Sequence, residues 1–240
     1  MTFGQLVWAR DHDFRQFGKG GQMKRVIRSL MLFVFALVFV TGSAFAQTGM
    51  RAGVKAGVDF ANLGGDAEQL FETSLSNKTG FAAGAFFGFD LHRMFRLQLE
   101  GQYVQKGAKT TEEGVDIKFK VDYIEFMVPL TLLIPTEGSV TPRLYAGPAI
   151  GFEMSCKVSG EEGGATVDFD CSELDVETKS TDFGVFFGGG VDFAVGPGAL
   201  TLDVLYNLGL ADLNDVSGVD ETVKNQNIQI MAGYAFMLGG

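Results

Sequence analysis

The chain has 240 residues, of which 46% are hydrophobic and 20% charged, and its formal net charge is −10. An acidic chain of this kind is excluded as a nucleic-acid binder, because phosphates require basic patches, and as a peripheral protein drawn electrostatically to anionic lipid. Insertion into a membrane is not excluded by charge.

Residues 1–22 are polar and patternless, so they form either a leader extension or a stretch ahead of a natural start at Met23. From Met23 the sequence reads as a secretory signal: Lys24, Arg25 and Arg28, then the apolar run Leu30 to Val40, then Ala44-Phe45-Ala46 before Gln47. An eleven-residue apolar run falls well short of the roughly 20 residues that a membrane-spanning helix needs. Residues 23–46 are therefore expected to be a signal peptide cleaved after Ala46, leaving 47–240 as one folded domain. Residues 1–46 hold six of the 19 basic residues and two of the 29 acidic ones, so 13 basic face 27 acidic in the remainder, a charge of −14. They also hold Trp8 and His12, so His92 is the one histidine that follows. Export would place Cys156 and Cys171 in an oxidising compartment, where a pair at this spacing reads as a disulfide closing one loop.

Beyond Gln47, apolar residues alternate with polar or small ones and no amphipathic helical spacing appears. Eight strands are predicted. The first carries Val54, Ala56, Val58 and Phe60 against Lys55, Gly57 and Asp59; the second Phe81, Ala83, Ala85, Phe87 and Phe89 against Gly84, Phe86, Gly88 and Asp90. The third, Phe95 to Tyr103, sets Phe95, Leu97, Leu99 and Tyr103 against Arg96, Gln98, Glu100 and Gln102. The fourth sets Ile124 to Leu132 against Tyr123, Glu125 and Thr131, and the fifth Leu144 to Phe152 against Arg143, Tyr145 and Glu153. The last three set Phe183 to Phe193 against Asp182, Gly184, Gly188 and Asp192; Leu200 to Leu208 against Thr201, Asp203 and Asn207; and Ile228 to Leu238 against Asn227, Gln229 and Gly233.

The connections alternate: short at Leu91-His92-Arg93, Pro135 to Thr141 and Val195-Gly196-Pro197, long at Asn62 to Lys78, Lys106 to Asp116, Lys157 to Lys179 and Ala211 to Asn225. That is the signature of an all-β, eight-stranded antiparallel up-and-down transmembrane barrel, with short turns and both termini periplasmic and long loops extracellular.

A soluble, lipocalin-like periplasmic barrel binding a small apolar ligand would show the same alternation turned inside out. The polar face, however, combines isolated charges with many glycines, which suits a narrow packed lumen rather than a solvated surface. Lys55, Asp59, Arg96, Glu100, Glu125, Arg143, Asp192 and Asp203 are expected there as mutually paired interior charges. Tyr103, Tyr206 and Tyr234 are candidates for interfacial girdles.

The segments GVKAGVDFANLGGD (53–66), RLQLEGQYVQKG (96–107), VDYIEFMVPL (121–130), RLYAGPAIGF (143–152), FGVFFGGGVDF (183–193) and LDVLYNLGLADL (202–213) resemble the small porin-family outer-membrane β-barrels, a PorT-like or OmpA-transmembrane-domain-like group. The resemblance implies an outer-membrane barrel and no shared catalytic set. It also implies two partners, outer-membrane lipid and the barrel-assembly machinery that inserts such proteins. Leu238-Gly239-Gly240 stands where the family usually ends on an aromatic residue.

No catalytic residues, cofactor or metal site are expected. His92 falls in a predicted periplasmic turn, far from where an extracellular-rim base would serve. Asp168 to Glu177 is rich in oxygen ligands but lacks the spacing and central glycine of an EF-hand loop. Gly163-Gly164 and Gly188-Gly189-Gly190 do not sit between a strand and a helix, so they form no phosphate cradle. The expected role is that of a structural, interacting or narrow-pore element of the outer membrane.

Overall fold

The computed structural model describes residues 49–67, 75–112, 115–162, 165–174, 179–212 and 222–238. The expectations for residues 1–46 lie outside them. Among the described residues ten strands form one antiparallel sheet: β1 (Met50–Gly65), β2 (Ser76–His92), β3 (Phe95–Glu112), β4 (Val115–Met127), β5 (Leu130–Leu133), β6 (Val140–Glu162), β7 (Ala165–Asp170), β8 (Thr181–Val195), β9 (Gly198–Gly209) and β10 (Val223–Leu238).

Eight staves account for the sheet. Neighbours in sequence pair from β1 to β4, then β4 with β6, β6 with β8, β8 with β9 and β9 with β10. The last strand, β10, returns to β1 along its whole length, from Met50 opposite Leu238 to Gly65 opposite Val223. The ring therefore closes, and each stave has a neighbour on both sides. β5 continues β4 after Val128-Pro129, pairing with the same two neighbours. The ladder is interrupted there because Pro129 has no N–H to donate, while its carbonyl still accepts from Gln98 N at 3.0 Å. β7 is not a stave but folds back on the C-terminal end of β6.

Two expected long loops are instead mostly strand. β3 runs to Glu112 and β4 begins at Val115, so the connection expected over Lys106 to Asp116 shrinks to residues 113 and 114. Within Lys157 to Lys179 the chain continues β6 to Glu162, returns as β7 and makes a short 3-10 turn at Cys171–Leu174. Backbone pairing with a neighbour satisfies the N–H and C=O groups whatever the side chains are, so strands outrun the apolar alternation that first marks them. Met50 opposite Leu238 brings both ends of the barrel chain to the end that carries the β2–β3, β5–β6 and β8–β9 turns. The two-residue turn from Val195 to Gly198 needs Gly196 at φ 60, a conformation that L side chains avoid.

The apolar face looks outward. Val54, Leu144, Phe187 and Phe126 are each more than half exposed, whereas Asp59, Glu125 and Gln229 inside are at most 1% exposed. A soluble lipocalin-like barrel would have the reverse, which removes that alternative. On β3 the outward apolar positions run from Phe95 to Tyr103, nine residues, against the roughly 9–11 a tilted strand needs to cross a bilayer.

Candidate functional site

The lumen is where the sequence concentrates its buried charge. Alternation along each stave sends every second side chain inward, and the ring of staves makes those side chains converge on one axis. At the end with the short turns, Asp192 from β8 takes three arginines: Arg51 Nη1 at 2.6 Å, Arg143 Nε at 2.8 Å and Arg96 Nη1 at 3.4 Å. Arg143 also holds Asp203 at 2.9 Å, and Arg96 holds Asp90 at 2.5 Å. Midway, Lys55 Nζ lies 2.5 Å from Glu100, which also accepts from Gln98 at 3.2 Å. Toward the other end, Lys106 Nζ bridges Glu125 at 2.7 Å and Asp182 at 3.2 Å. Gln102 and Asn207 donate to Glu125, and Asn225 donates to Asp182.

Asp59 is held differently, accepting from Asn227 at 2.5 Å with no lysine or arginine pair among the described ion pairs. All eight expected interior charges are thus inside, each 6% exposed or less. Seven of them pair with an opposite charge.

Between the charged layers the lumen is filled by apolar bulk. Met127, Tyr145, Phe186 and Leu205 form one cluster, and Val104, Val121, Tyr123 and Met231 another. Three cations lie against aromatic faces: Arg51 on Phe86 at 5.4 Å, Lys106 on Tyr123 at 5.3 Å and Arg143 on Tyr145 at 5.7 Å. The space left between Lys55, Glu100, Arg143 and Asp203 measures about 10 Å³, which is no more than one water requires.

Four charged partners were missed from sequence: Arg51, Asp90, Lys106 and Asp182. Arg51 is in phase with Lys55 and Asp59, and Lys106 with Arg96, Glu100 and Gln102, so the period of two held their positions, but both were placed beyond the strand ends. Asp90 and Asp182 were set on the polar face without a role. Large inward apolar residues such as Val104, Leu205 and Met231 were also missed, because they break the rule that polar means inside.

The remaining candidates have plain placements. Cys156 and Cys171 are joined as a disulfide, tying β6 to the turn after β7. His92 ends β2 beside the β2–β3 turn, where its Nδ1 accepts from Met94 N at 3.4 Å. Asp168 is engaged by Ser159 and by Lys120, the latter at 3.5 Å, and the hydrogen bond from Ser159 holds its carboxyl below the usual aspartate range. Residues 175–178 of the acidic segment and Gly163-Gly164 lie outside the described residues. Gly188 and Gly190 face the lumen, where a Cβ on Gly190 would come within 2.4 Å of the Leu202 carbonyl oxygen.

In solved structures the chain is similar to Neisserial surface protein A, at 18% identity over 77% of this chain and 96% of that one, with a TM-score of 0.45. A major outer membrane protein from Thermus thermophilus gives 10% identity over 80% and 100%, with a TM-score of 0.46. The attachment invasion locus protein of Yersinia pestis gives 16% identity over 78% and 98%, with a TM-score of 0.39. No curated protein matches the chain in sequence. The sequence model of one family matches residues 45–215, which include the first seven staves and the charged lumen they enclose. With an apolar exterior, a closed ring of staves and that match, the chain belongs to the outer membrane protein beta-barrel domain family.

Proposed function

We propose that this protein is an integral outer-membrane barrel with a closed lumen, serving as a structural and docking element of the membrane rather than as a solute pore or an enzyme. The observation that carries the reading is the lumen itself. Asp192 with its three arginines crosses one end, Lys106 with Glu125 and Asp182 crosses the other, and aromatic bulk fills the space between. Moving these pairs aside would leave buried charges without partners, at several kcal/mol each. Residues 23–46 act as the export signal, the short turns and both termini face the periplasm, and the longer end faces outward. Outer-membrane lipid surrounds the barrel, and the barrel-assembly machinery inserts it. β10 offers that machinery a terminal strand with outward Tyr234 and Phe236, in ring contact at 4.8 Å.

The test is single-channel conductance of the full chain, taken from outer membranes in detergent and offered to a planar bilayer. Insertion without current steps is expected. Stable, reproducible steps would establish a pore and make Arg96, Glu100 and Arg143 its selectivity positions.

A further inference from the structure

One carboxylate in the lumen has no cation of its own. Asp59 is 0% exposed and accepts from Asn227 Nδ2 at 2.5 Å, while its Oδ2 has no hydrogen-bond partner. Gln229 stands directly opposite it on β10 and is equally buried, and its Oε1 is also without a donor. Asn227 Oδ1 is a third such acceptor beside the same carboxylate. Across the lumen Asp59 faces Lys106 and Glu125. In contact with that pair, Gln102 Oε1 and Asp182 Oδ1 lack donors as well. Five buried oxygens of one layer thus stand against a single unpartnered nitrogen there, Gln229 Nε2, among the described residues. Granting that nitrogen to Asp59 still leaves four oxygens without a donor.

Charge points the same way. In this layer Asp59, Glu125 and Asp182 share Lys106, which pairs with the latter two. Lys78, the next buried lysine, donates to the Lys106 carbonyl at 2.9 Å, and counting it still leaves three carboxylates against two lysines. A buried carboxylate is costly unless its charge is compensated. Water would supply the missing donors but not the missing charge. A cation bound directly by carboxylate and amide oxygens meets both needs, because those oxygens replace its hydration shell. One surplus negative charge fits a monovalent ion. Ca²⁺ takes about 6–8 oxygens and Mg²⁺ keeps several waters, whereas the side chains that carry these five oxygens are at most 3% exposed. We propose that Asp59, Asn227 and Gln229 bind one dehydrated, sodium-sized monovalent cation on the inner face of the β1–β10 seam. The seam joins the first and last staves, so the bound ion holds the ring shut where the chain closes on itself. The site lies in the lumen and does not depend on which end of the barrel faces outward.

The test is urea unfolding of the full chain from detergent, with sodium chloride exchanged stepwise for N-methylglucamine chloride at constant ionic strength, so that general screening does not change. Above half-saturation the folded-to-unfolded ratio is expected to rise about tenfold for each tenfold rise in sodium, as for one ion bound by the folded chain alone. Equilibrium dialysis against radioactive sodium should find a single ion on each folded chain. Asp59→Asn is expected to lose both the dependence and the ion, and Gln229→Leu to move half-saturation to higher sodium. Thr201→Val removes an unpartnered hydroxyl in another layer, opposite Asp192, and should change neither. Where Asp59→Asn does not fold, Gln229→Leu and the ion count on the parent decide. A ratio indifferent to sodium, retention of the ion by Asp59→Asn, or an equal loss in Thr201→Val overturns the inference. So does stabilisation by calcium in place of sodium, because the layer would then hold a divalent ion. A protonated-carboxyl band in the infrared that persists in saturating sodium and disappears in Asp59→Asn overturns it too, since a proton would then carry the charge. None of these outcomes touches the closed-lumen reading, which conductance tests separately.

Discussion

Asp192 is the residue on which the charged lumen turns, because three arginines from three staves share its two oxygens. Asp192→Ala leaves those guanidiniums with Asp90 and Asp203 alone, in a space without bulk water. It is expected to destabilise the barrel by about 3–5 kcal/mol, read as a lower midpoint in urea unfolding from detergent. Asp192→Asn, which keeps the shape but not the charge, should recover little of this. A second expectation concerns Gly190, whose added Cβ would lie 2.4 Å from a backbone oxygen of β9 and 2.7 Å from Asp203 Oδ1. Gly190→Val should cost about 1–3 kcal/mol through forced displacement of neighbours, and an unchanged midpoint would show that the lumen is looser than its contacts imply. Two residues apart in sequence, these positions fail for opposite reasons, one from a partner lost and one from space filled.

At the scale of elements, β6 and β7 form a hairpin that stands beyond the closed ring. Its ladder runs from Lys157 opposite Asp170 to Glu162 opposite Ala165, and the Cys156–Cys171 bond closes its base. Closing a loop of this size constrains the open state by up to about 3 kcal/mol. Cys156→Ser/Cys171→Ser should therefore leave the staves intact while making β7 open to protease, seen as selective cleavage with the rest of the chain retained. The hairpin also carries a pH dependence. Asp168 has its carboxyl held below the ordinary range by the hydrogen bond from Ser159, with Lys120 and Lys157 acting in the same direction. A depressed carboxylate contributes stability above its unfolded value, and that contribution is lost as pH falls through the folded value. Amide exchange in β7 is thus expected to quicken on acidification below about pH 4, and Asp168→Asn should remove the dependence.

For the whole molecule, the outward apolar belt and the polar filling are two sides of one constraint, since a closed sheet satisfies its backbone in lipid and side chains alternate across it. Phe187 lies midway along β8 with its side chain more than half exposed. Phe187→Arg should cost about 2–4 kcal/mol in a bilayer and far less in a soluble setting. Comparing insertion of the parent and the variant into vesicles checks this, and equal insertion would refute a lipid-facing position.

The sequence by itself determined the strand interiors, which face of each is apolar and, through the alternation of connections, an even number of staves. Strict side-chain periodicity is local, so Phe95 to Tyr103 or Val54 to Phe60 is legible without knowing any neighbour. The membership of the interior charges, from Lys55 to Asp203, followed from the same parity. The tertiary structure alone decided which of them meet: Asp192 is 141 positions from Arg51 and 49 from Arg143, and only the register of the intervening pairings brings them together. It also decided where strands end, because backbone pairing carries β3 and β6 past their apolar residues, and it set Asp59 against Gln229. Cross-strand neighbours are a property of register, which depends on every stave in the ring, and no single segment of sequence contains it.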